Sequence, residues 1–168
     1  MYQPRRLKDK IKTVDELRPL LRSLQHNGLR IVFTNGCFDV LHAGHVQLLE
    51  QARAEGDILV VALNSDASVR TLKGAERPIV PLEQRVKVIA GLEAVDFVTF
   101  FDEPDPLRII TELMPNVLVK GGDWTPDTII GRDVVEAAGG KVFAIPLMDG
   151  VSTSDIIARI KQRSAPNS

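Results

Sequence analysis

Short apolar runs recur along the 168-residue chain, and segments whose apolar residues have helical spacing lie between them. Five runs are rich in β-branched or other apolar residues and lack clean alternation, which is typical of buried parallel strands. These predicted strands span residues 30–34, 58–63, 97–100, 117–119 and 142–145. The predicted helices between and after them span residues 46–54, 65–72, 82–92, 106–114, 129–138 and 154–160. The pattern therefore alternates strand and helix.

This alternation predicts a single α/β domain. A further helix precedes the first strand, because Thr13 and Glu16 fit a capping box and leucines at helical spacing follow them. Right-handed crossovers between parallel strands give a Rossmann-like, doubly wound sheet of about five strands with helices on both faces. We expect one domain over residues 1–168, with loose ends at 1–10 and 164–168.

Composition then narrows the classes of function. Lys and Arg total 21 against 22 for Asp and Glu, so the formal net charge of -1 does not suit a large nucleic acid. Cys37 is the only cysteine, which excludes an internal disulfide and a multi-cysteine zinc cluster. No apolar run approaches the ~20 residues of a membrane span, and no signal-peptide core follows the basic N-terminus. We expect a cytoplasmic protein that binds no membrane.

The first predicted strand ends in the segment TNGCFDVLHAGH, residues 34–45, which carries two histidines three residues apart. The free N–H groups and dipole of the following helix favour an anion, and both His42 and His45 can donate to phosphate oxygens. Zinc is one alternative, with Asp39 or Cys37 as a third ligand. Ordinary hydrogen-bonded structural histidines are the other. We favour a phosphate cradle over both.

Two familiar nucleotide-binding motifs are missing. No G-x-G-x-x-G follows the first predicted strand, so the ordinary dinucleotide fingerprint is absent. Gly139-Gly140-Lys141 lacks the upstream glycine and the Ser or Thr of a P-loop, and it fits the end of a helix before a strand.

The histidine segment resembles the HxGH signature of the nucleotidyltransferase superfamily, here His42-Ala43-Gly44-His45. The resemblance covers nearly the whole chain after residue 10. It is carried by TNGCFDVLHAGH, VALNSDASVRTLKG, RPIVPLEQR, LVKGGDW and DGVSTSDII. Together these segments are similar to those of the bacterial D-glycero-D-manno-heptose 1-phosphate adenylyltransferases.

This resemblance implies transfer of AMP from ATP to heptose 1-phosphate, which releases pyrophosphate and forms ADP-heptose for lipopolysaccharide or a related surface glycan. It also implies Mg²⁺ bound mainly through the ATP phosphates, and a homo-oligomer, with a dimer favoured. Because no kinase-like region accompanies these residues, we expect the stand-alone form. A cytidylyltransferase acting on glycerol phosphate or a related alcohol phosphate is the enzyme alternative. A non-catalytic nucleotide-binding module is the alternative from another class.

The resemblance also assigns roles to individual residues. The expected catalytic residues are His42, His45 and Lys73. The expected nucleotide-binding residues are Gly36, Cys37, Phe38, His42, Gly44, His45, Gly121, Asp123, Trp124, Ser152, Thr153 and Ser154. The expected sugar-phosphate ligands are Asp39, Lys73 and Arg85, and no protein metal site is expected.

Some of these residues have a simpler alternative role. A guanidinium on a helix is usually a solvated surface group, which is the alternative for Arg85. Asp39 could cap the turn that precedes the histidines, and the hydroxyls at 152–154 could cap the last helix. Trp124 could have a half-buried packing role.

Overall fold

The computed structural model describes residues 6–122 and 125–164. Five parallel strands form one sheet in the order β3-β2-β1-β4-β5. The strands are β1 (Ile31–Gly36), β2 (Ile58–Asn64), β3 (Phe97–Phe101), β4 (Val117–Gly121) and β5 (Lys141–Ile145). The strand order reverses between β1 and β4, so the loops that follow these two strands diverge and leave a crevice. The predicted Rossmann-like sheet is confirmed.

Helices cover both faces of the sheet. They are α1 (Leu7–Lys10), α2 (Val14–His26), α3 (Ala43–Ala54), α4 (Asp66–Lys73), α5 (Leu82–Ala90), α6 (Leu107–Leu113), α7 (Arg132–Ala137) and α8 (Thr153–Ser164), with a 3₁₀ turn at Pro126–Thr128. Alternate strand residues face opposite layers: Val32 packs with the buried residues of α3 and α5, and Phe33 packs with those of α2, α6 and α7. Because both faces are covered, the strands are apolar throughout rather than alternating.

The first turn of α2 has the predicted capping box. The Glu16 N–H donates to Thr13 Oγ1 at 3.3 Å, and the Thr13 N–H donates to Glu16 Oε2 at 2.8 Å. The Gly139-Gly140 pair also ends a helix before a strand, as predicted, and a Cβ on Gly140 would lie 2.6 Å from Val135 Cγ1. Both motifs are therefore structural.

Several element boundaries differ from the sequence expectation. Helix α3 begins at Ala43 with His42 as its N-cap, three residues before the predicted start, because residues 43–45 carry no apolar periodicity. Residues 7–10, expected to be loose, form α1, and Lys10 Nζ donates to the Leu92 carbonyl oxygen at 3.0 Å. Ser164 is the last residue of α8. Within the ranges described above, no helix has the length and apolar character needed to cross a membrane.

Candidate functional site

A cavity of about 530 Å³ opens at the carboxyl ends of β1 and β4. The parts of the chain that line it include the turn after β1, the end of α4, the end of β4, the start of α8 and residues 104–106 and 128–130. The expected site residues that line it are Gly36, Cys37, Phe38, Asp39, His42, Gly44, His45, Lys73, Gly121, Ser152, Thr153 and Ser154. Asp123 and Trp124 lie outside the described residues. Arg85 is the expected residue that the structure places elsewhere.

The two histidines stack at the start of α3. Their ring centroids are 3.8 Å apart and the ring planes differ by 22°. The His42 carbonyl accepts the His45 N–H at 3.0 Å, which holds both residues in the first turn. A Cβ on Gly44 would lie 3.1 Å from His42 Nδ1, so a larger residue here would crowd the ring. The H-x-G-H spacing therefore produces one compact imidazole pair.

Phe38 supports this pair from the other side. Its ring centroid lies 5.1 Å from that of His45, and the side chain is only 5% exposed. The backbone of Phe38 has φ of 45°, a conformation that is uncommon for a residue with a side chain. A Cβ on Gly36 would lie 3.0 Å from the Phe38 ring, so Gly36 leaves room for the ring. These two residues shape the turn by packing.

Burial keeps the imidazole pair neutral. Desolvation lowers the pKa of His42, and desolvation together with the neighbouring His42 lowers the pKa of His45 to about 4. The Nδ1 atoms of both rings are buried and have no hydrogen-bond partner within the described residues. Without a ligand, the histidines therefore offer N–H donors rather than positive charges near neutral pH.

Asp39 connects the histidine turn to the loop after α4. Its carboxylate accepts from Arg77 Nε at 2.5 Å, from the Ile79 N–H at 2.9 Å and from the Val80 N–H at 2.8 Å. Burial alone would raise the pKa of Asp39, but the hydrogen bonds from Val80, Ile79 and Arg77 outweigh it and leave the pKa below its usual value. The carboxylate oxygens that could orient a histidine or bind a sugar hydroxyl are already engaged, so the geometry favours a structural role.

The expectation that Arg85 binds the sugar phosphate is wrong. Its side chain is 0% exposed, so it is neither the sugar-phosphate ligand we expected nor a solvated surface group. The guanidinium donates to the carbonyl oxygens of Val80, Cys37 and Asn64 at 2.9, 2.6 and 2.9 Å, and to Asp66 Oδ1 at 2.7 Å. The sequence expectation failed because helical position alone does not reveal buried carbonyl acceptors from three other segments.

The structure adds two cationic residues that sequence reasoning missed. Arg77 lines the cavity beside Lys73 and is oriented by Asp39. Lys120, the penultimate residue of β4, lines it from the sheet, and its Nζ lies 3.5 Å from Asn35 Oδ1. The signal for Lys120 was available, since a polar residue at the carboxyl end of a buried parallel strand faces the usual ligand crevice.

The start of α8 closes one side of the cavity. Thr153 Oγ1 donates to the Val40 carbonyl oxygen at 3.2 Å, which joins α8 to the turn after β1. Ser152 Oγ accepts the Asp155 N–H at 3.1 Å and donates to Asp155 Oδ2 at 2.7 Å, so it is also a helix cap. At the opposite side, a Cβ on Gly121 would lie 2.6 Å from Leu48 Cδ2, which explains the glycine by packing against α3.

The geometry argues against the zinc alternative. The Asp39 carboxylate is held by Arg77 and two backbone N–H groups, and the Nδ1 atoms of the stacked histidines are buried. Burial also raises the pKa of the Cys37 thiol, which disfavours the thiolate that zinc requires. In the part of the chain that the structure describes, no three His, Cys, Asp or Glu residues are grouped as metal ligands would be.

The H-x-G-H segment therefore follows a central strand of the parallel sheet, at its carboxyl end. The family model described as cytidylyltransferase-like matches residues 33–159. The chain belongs to this cytidylyltransferase-like family.

Its relatives include two bifunctional proteins called HldE. The chain is 54% identical over 155 residues to HldE of Geotalea uraniireducens, which covers 92% of the chain and 32% of that protein. It is 56% identical over 152 residues to HldE of Halorhodospira halophila, which covers 89% of the chain and 32% of that protein. The chain therefore spans about a third of the length of these curated relatives.

Two solved structures are also similar. A lipopolysaccharide core biosynthesis protein from Thermoplasma volcanium has a TM-score of 0.59 and 27% identity, covering 72% of this chain and 98% of that one. Pantoate-beta-alanine ligase from Francisella tularensis has a TM-score of 0.59 at 16% identity, covering 90% of this chain and 76% of that one. The second likeness concerns the fold alone.

Replacing Arg85 should destabilise the whole domain. In Arg85→Ala, three carbonyl oxygens lose their charged donor and Asp66 loses its partner, so we expect a loss on the order of 3 kcal/mol in the free energy of unfolding. Urea denaturation would measure it. Lys87→Ala on the same helix is the matched control, because it removes an exposed pair with Glu83 and should change the free energy by less than about 1 kcal/mol. Equal small effects in both variants would contradict the buried role of Arg85.

The ligand-free protein should lose stability as the pH falls from about 6.5 towards 4. His45 has a folded-state pKa of about 4 against an ordinary value of 6.5, so the unfolded chain binds a proton that the folded protein does not. Stability is therefore retained above this window and falls within it. Denaturant unfolding measured across that range should show a shallower slope for His45→Gln than for the unmodified protein. An identical slope would refute a depressed His45 pKa.

Proposed function

We propose that this protein is an adenylyltransferase that transfers AMP from ATP to D-glycero-D-manno-heptose 1-phosphate, forming ADP-heptose and pyrophosphate. The observation that carries the proposal is the stacked His42–His45 pair at the start of α3, beside the cavity at the ends of β1 and β4. The sequence resemblance also supports it. The chain matches about a third of the length of two bifunctional proteins, which fits a domain that carries one of their two activities. The product would serve lipopolysaccharide or a related surface glycan.

The acceptor itself supplies the nucleophile in this reaction. The second pKa of a sugar phosphate is ~6, so its oxygen is largely ionised near neutral pH and needs no strong base. This oxygen forms a bond to the α-phosphorus while the bond from that phosphorus to the bridging oxygen breaks, and pyrophosphate leaves with the electron pair. The contribution of the protein is then alignment of the two substrates and stabilisation of developing charge.

The histidines would act as donors to the phosphates that react. Both rings lie at the N-terminus of α3, where the helix dipole also favours an anion. An approaching phosphate adds negative charge beside two buried imidazoles, which opposes the desolvation that keeps their pKa values low. Bound nucleotide would therefore favour protonation of the two imidazoles.

Lys73 and Arg77 are the candidates for the acceptor phosphate. Both line the cavity, and Arg77 is held by the carboxylate of Asp39. Arg77 thus takes the role that the sequence assigned to Arg85. The hydroxyls and first amides at 152–154 would bind the outer phosphates of ATP, and Gly121 with the loop that follows would approach the base or ribose.

Magnesium fits this proposal without a dedicated protein site. Mg²⁺ usually keeps several waters and binds through substrate phosphates, and it would neutralise charge on the leaving pyrophosphate. The nearest carboxylate of the histidine turn, Asp39, is already engaged by three donors. ATP and water would therefore supply most ligands. A cytoplasmic site of action and a dimer remain predictions.

The substrate assignment can be tested directly. Pyrophosphate release should be measured with ATP, CTP, GTP and UTP, each combined with heptose 1-phosphate and with glycerol 3-phosphate. We expect ATP with heptose 1-phosphate to give the highest kcat/KM, because the whole set of matching segments is similar to that of the heptose enzymes. Faster turnover of CTP with glycerol 3-phosphate would support the cytidylyltransferase alternative instead. Nucleotide binding without turnover of any pair would support a non-catalytic module.

Removing either imidazole should damage turnover more than folding. His42→Ala and His45→Ala each remove one donor from the turn, and loss of one such donor typically costs ~10²–10³-fold in rate. Turnover, ATP affinity and thermal unfolding would be measured on the same preparations. His26→Ala, on the exposed last turn of α2, is the matched control. Unchanged turnover in both folded variants would contradict the phosphate-cradle role.

A further inference from the structure

Two segments form a wall of the cavity in which Asp105 is the charged residue. Residues 104–106 follow β3 and residues 128–130 follow β4, and both segments line the cavity. A Cβ on Gly131 would lie 2.6 Å from Ile110 Cδ1, so the second segment leads into close packing against α6, the helix that the first segment precedes. This surface, the Asp105 wall, consists of Pro104, Asp105, Pro106, Thr128, Ile129 and Ile130. It is mostly apolar and carries one carboxylate.

Hydrogen bonds hold the loop after β3 in place. The Ser65 N–H donates to the Phe101 carbonyl oxygen at 2.9 Å. Ser68 Oγ donates to the Glu103 carbonyl oxygen at 3.0 Å. The same hydroxyl accepts from Nδ2 of Asn64, another residue of the cavity lining, at 3.0 Å. The loop is therefore tied to the end of β2 and to the first turn of α4.

Asp105 retains most of its capacity to accept hydrogen bonds. Its Oδ1 accepts the Leu107 N–H at 2.9 Å, which occupies one of about four acceptor positions on a carboxylate. Asp39 is the other acidic residue among the described residues that line the cavity, and it already receives three donors. Arg108, the basic residue nearest to Asp105 along the chain, pairs with two glutamates. Of the two carboxylates, Asp105 is thus the better placed to accept from a ligand.

The charge of this carboxylate determines which part of a ligand can lie beside it. A phosphate next to Asp105 would be repelled, whereas Lys73 and Arg77 line the same cavity and attract an anion. A neutral group that donates hydrogen bonds suits the position instead, because hydrogen bonds to a charged acceptor are stronger than those between neutral groups. The hydroxyl groups of a sugar are such donors, and its CH groups can pack against the apolar residues of the Asp105 wall.

We propose that Asp105 is a specificity-determining residue that accepts hydrogen bonds from hydroxyl groups of the acceptor sugar. The inference rests on the proposed function, in which the sugar phosphate and the nucleotide share the cavity. In that binding mode the outer phosphates of ATP lie towards α8, which follows β5, and the base or ribose lies towards the loop after β4. Asp105 follows β3, at the opposite edge of the sheet from β5, so the wall around it is left for the acceptor.

Binding measurements on two variants test this role. Asp105→Ala removes the acceptor, whereas Asp105→Asn removes the charge but keeps an oxygen that can accept the Leu107 N–H. Affinity for heptose 1-phosphate would be measured by calorimetry with a saturating ATP analogue that has a methylene bridge between the α and β phosphorus atoms and cannot release pyrophosphate. We expect Asp105→Ala to weaken heptose 1-phosphate by ~10- to 100-fold, the usual effect of losing a hydrogen bond to a charged group, and Asp105→Asn to weaken it less.

Two further ligands show whether the effect is confined to the sugar. The ATP analogue alone and inorganic phosphate should bind both variants as tightly as they bind the unmodified protein, because neither contains the acceptor sugar. In turnover measurements, KM for heptose 1-phosphate should rise while KM for ATP stays constant. A weakening of the ATP analogue as large as that of heptose 1-phosphate would overturn the inference, since the carboxylate would then act on the nucleotide or on the fold.

Asp102→Asn is the matched control. It changes an exposed carboxylate of the same loop that does not line the cavity, and it should leave every affinity unchanged. Thermal unfolding would be measured on all three variants. If Asp105→Ala fails to fold, Asp105→Asn decides the outcome, because it can retain the contact with Leu107. Heptose 1-phosphate affinity equal to that of the unmodified protein in the folded Asp105 variants would show that the inference is wrong.

Turnover by the unmodified protein separates this inference from the proposed function. If ATP and heptose 1-phosphate do not react but heptose 1-phosphate binds in a manner that depends on Asp105, the sugar contact stands and the proposed reaction fails. If the two substrates react but the affinity for heptose 1-phosphate is independent of Asp105, only the inference about Asp105 fails. If the unmodified protein does not bind heptose 1-phosphate, both fail.

Discussion

The buried guanidinium of Arg85 is the interaction on which the site depends. It joins the end of β2, the turn after β1, the start of α4 and the loop before α5 through the acceptors Asn64 O, Cys37 O, Asp66 Oδ1 and Val80 O. Loops at the carboxyl ends of strands have few backbone partners of their own, so their position must come from side chains. One planar group with five N–H donors can fix several of them at once.

Asp39 joins two of the same loops, but as a hydrogen-bond acceptor rather than a donor. It carries the negative charge on the histidine turn and accepts from the loop that Arg85 also contacts, through the N–H groups of Ile79 and Val80. Arg85 and Asp39 therefore hold the same two segments together, the turn after β1 and the loop before α5. Arg85 does so as a donor and Asp39 as an acceptor. Asp39 also orients Arg77, so the contacts that hold these loops also position a cation in the cavity lining. A change at Asp39 would therefore disturb the loop before α5 and Arg77 together.

The doubly wound parallel sheet was predictable, but the roles of charged residues were not. Continuous apolar strands and helical segments between them determine a doubly wound sheet, and the H-x-G-H spacing is sufficient to predict two histidines at a helix start. Arg85 and Asp39 were assigned to the sugar phosphate because both lie in segments that the resemblance singles out. Whether such a residue faces a cavity or buried carbonyls depends on contacts 19 to 48 residues away along the chain, such as those of Arg85 with Asp66 and Cys37, which periodicity does not encode.

Under the proposed function, a local group of cations would allow a chain of net charge -1 to attract a polyanion. Lys73, Arg85, Arg77 and Lys120 all act on the Cys37 thiol, where their charges oppose the larger effect of burial on its pKa. Four of the 21 Lys and Arg residues are thus gathered around the turn after β1. Arg85 donates to its own buried acceptors and does not line the cavity, whereas Lys73, Arg77 and Lys120 do. Under the proposed function, a local cluster of this kind would favour a small phosphorylated ligand over an extended nucleic acid, because its electrostatic reach is limited to one cavity.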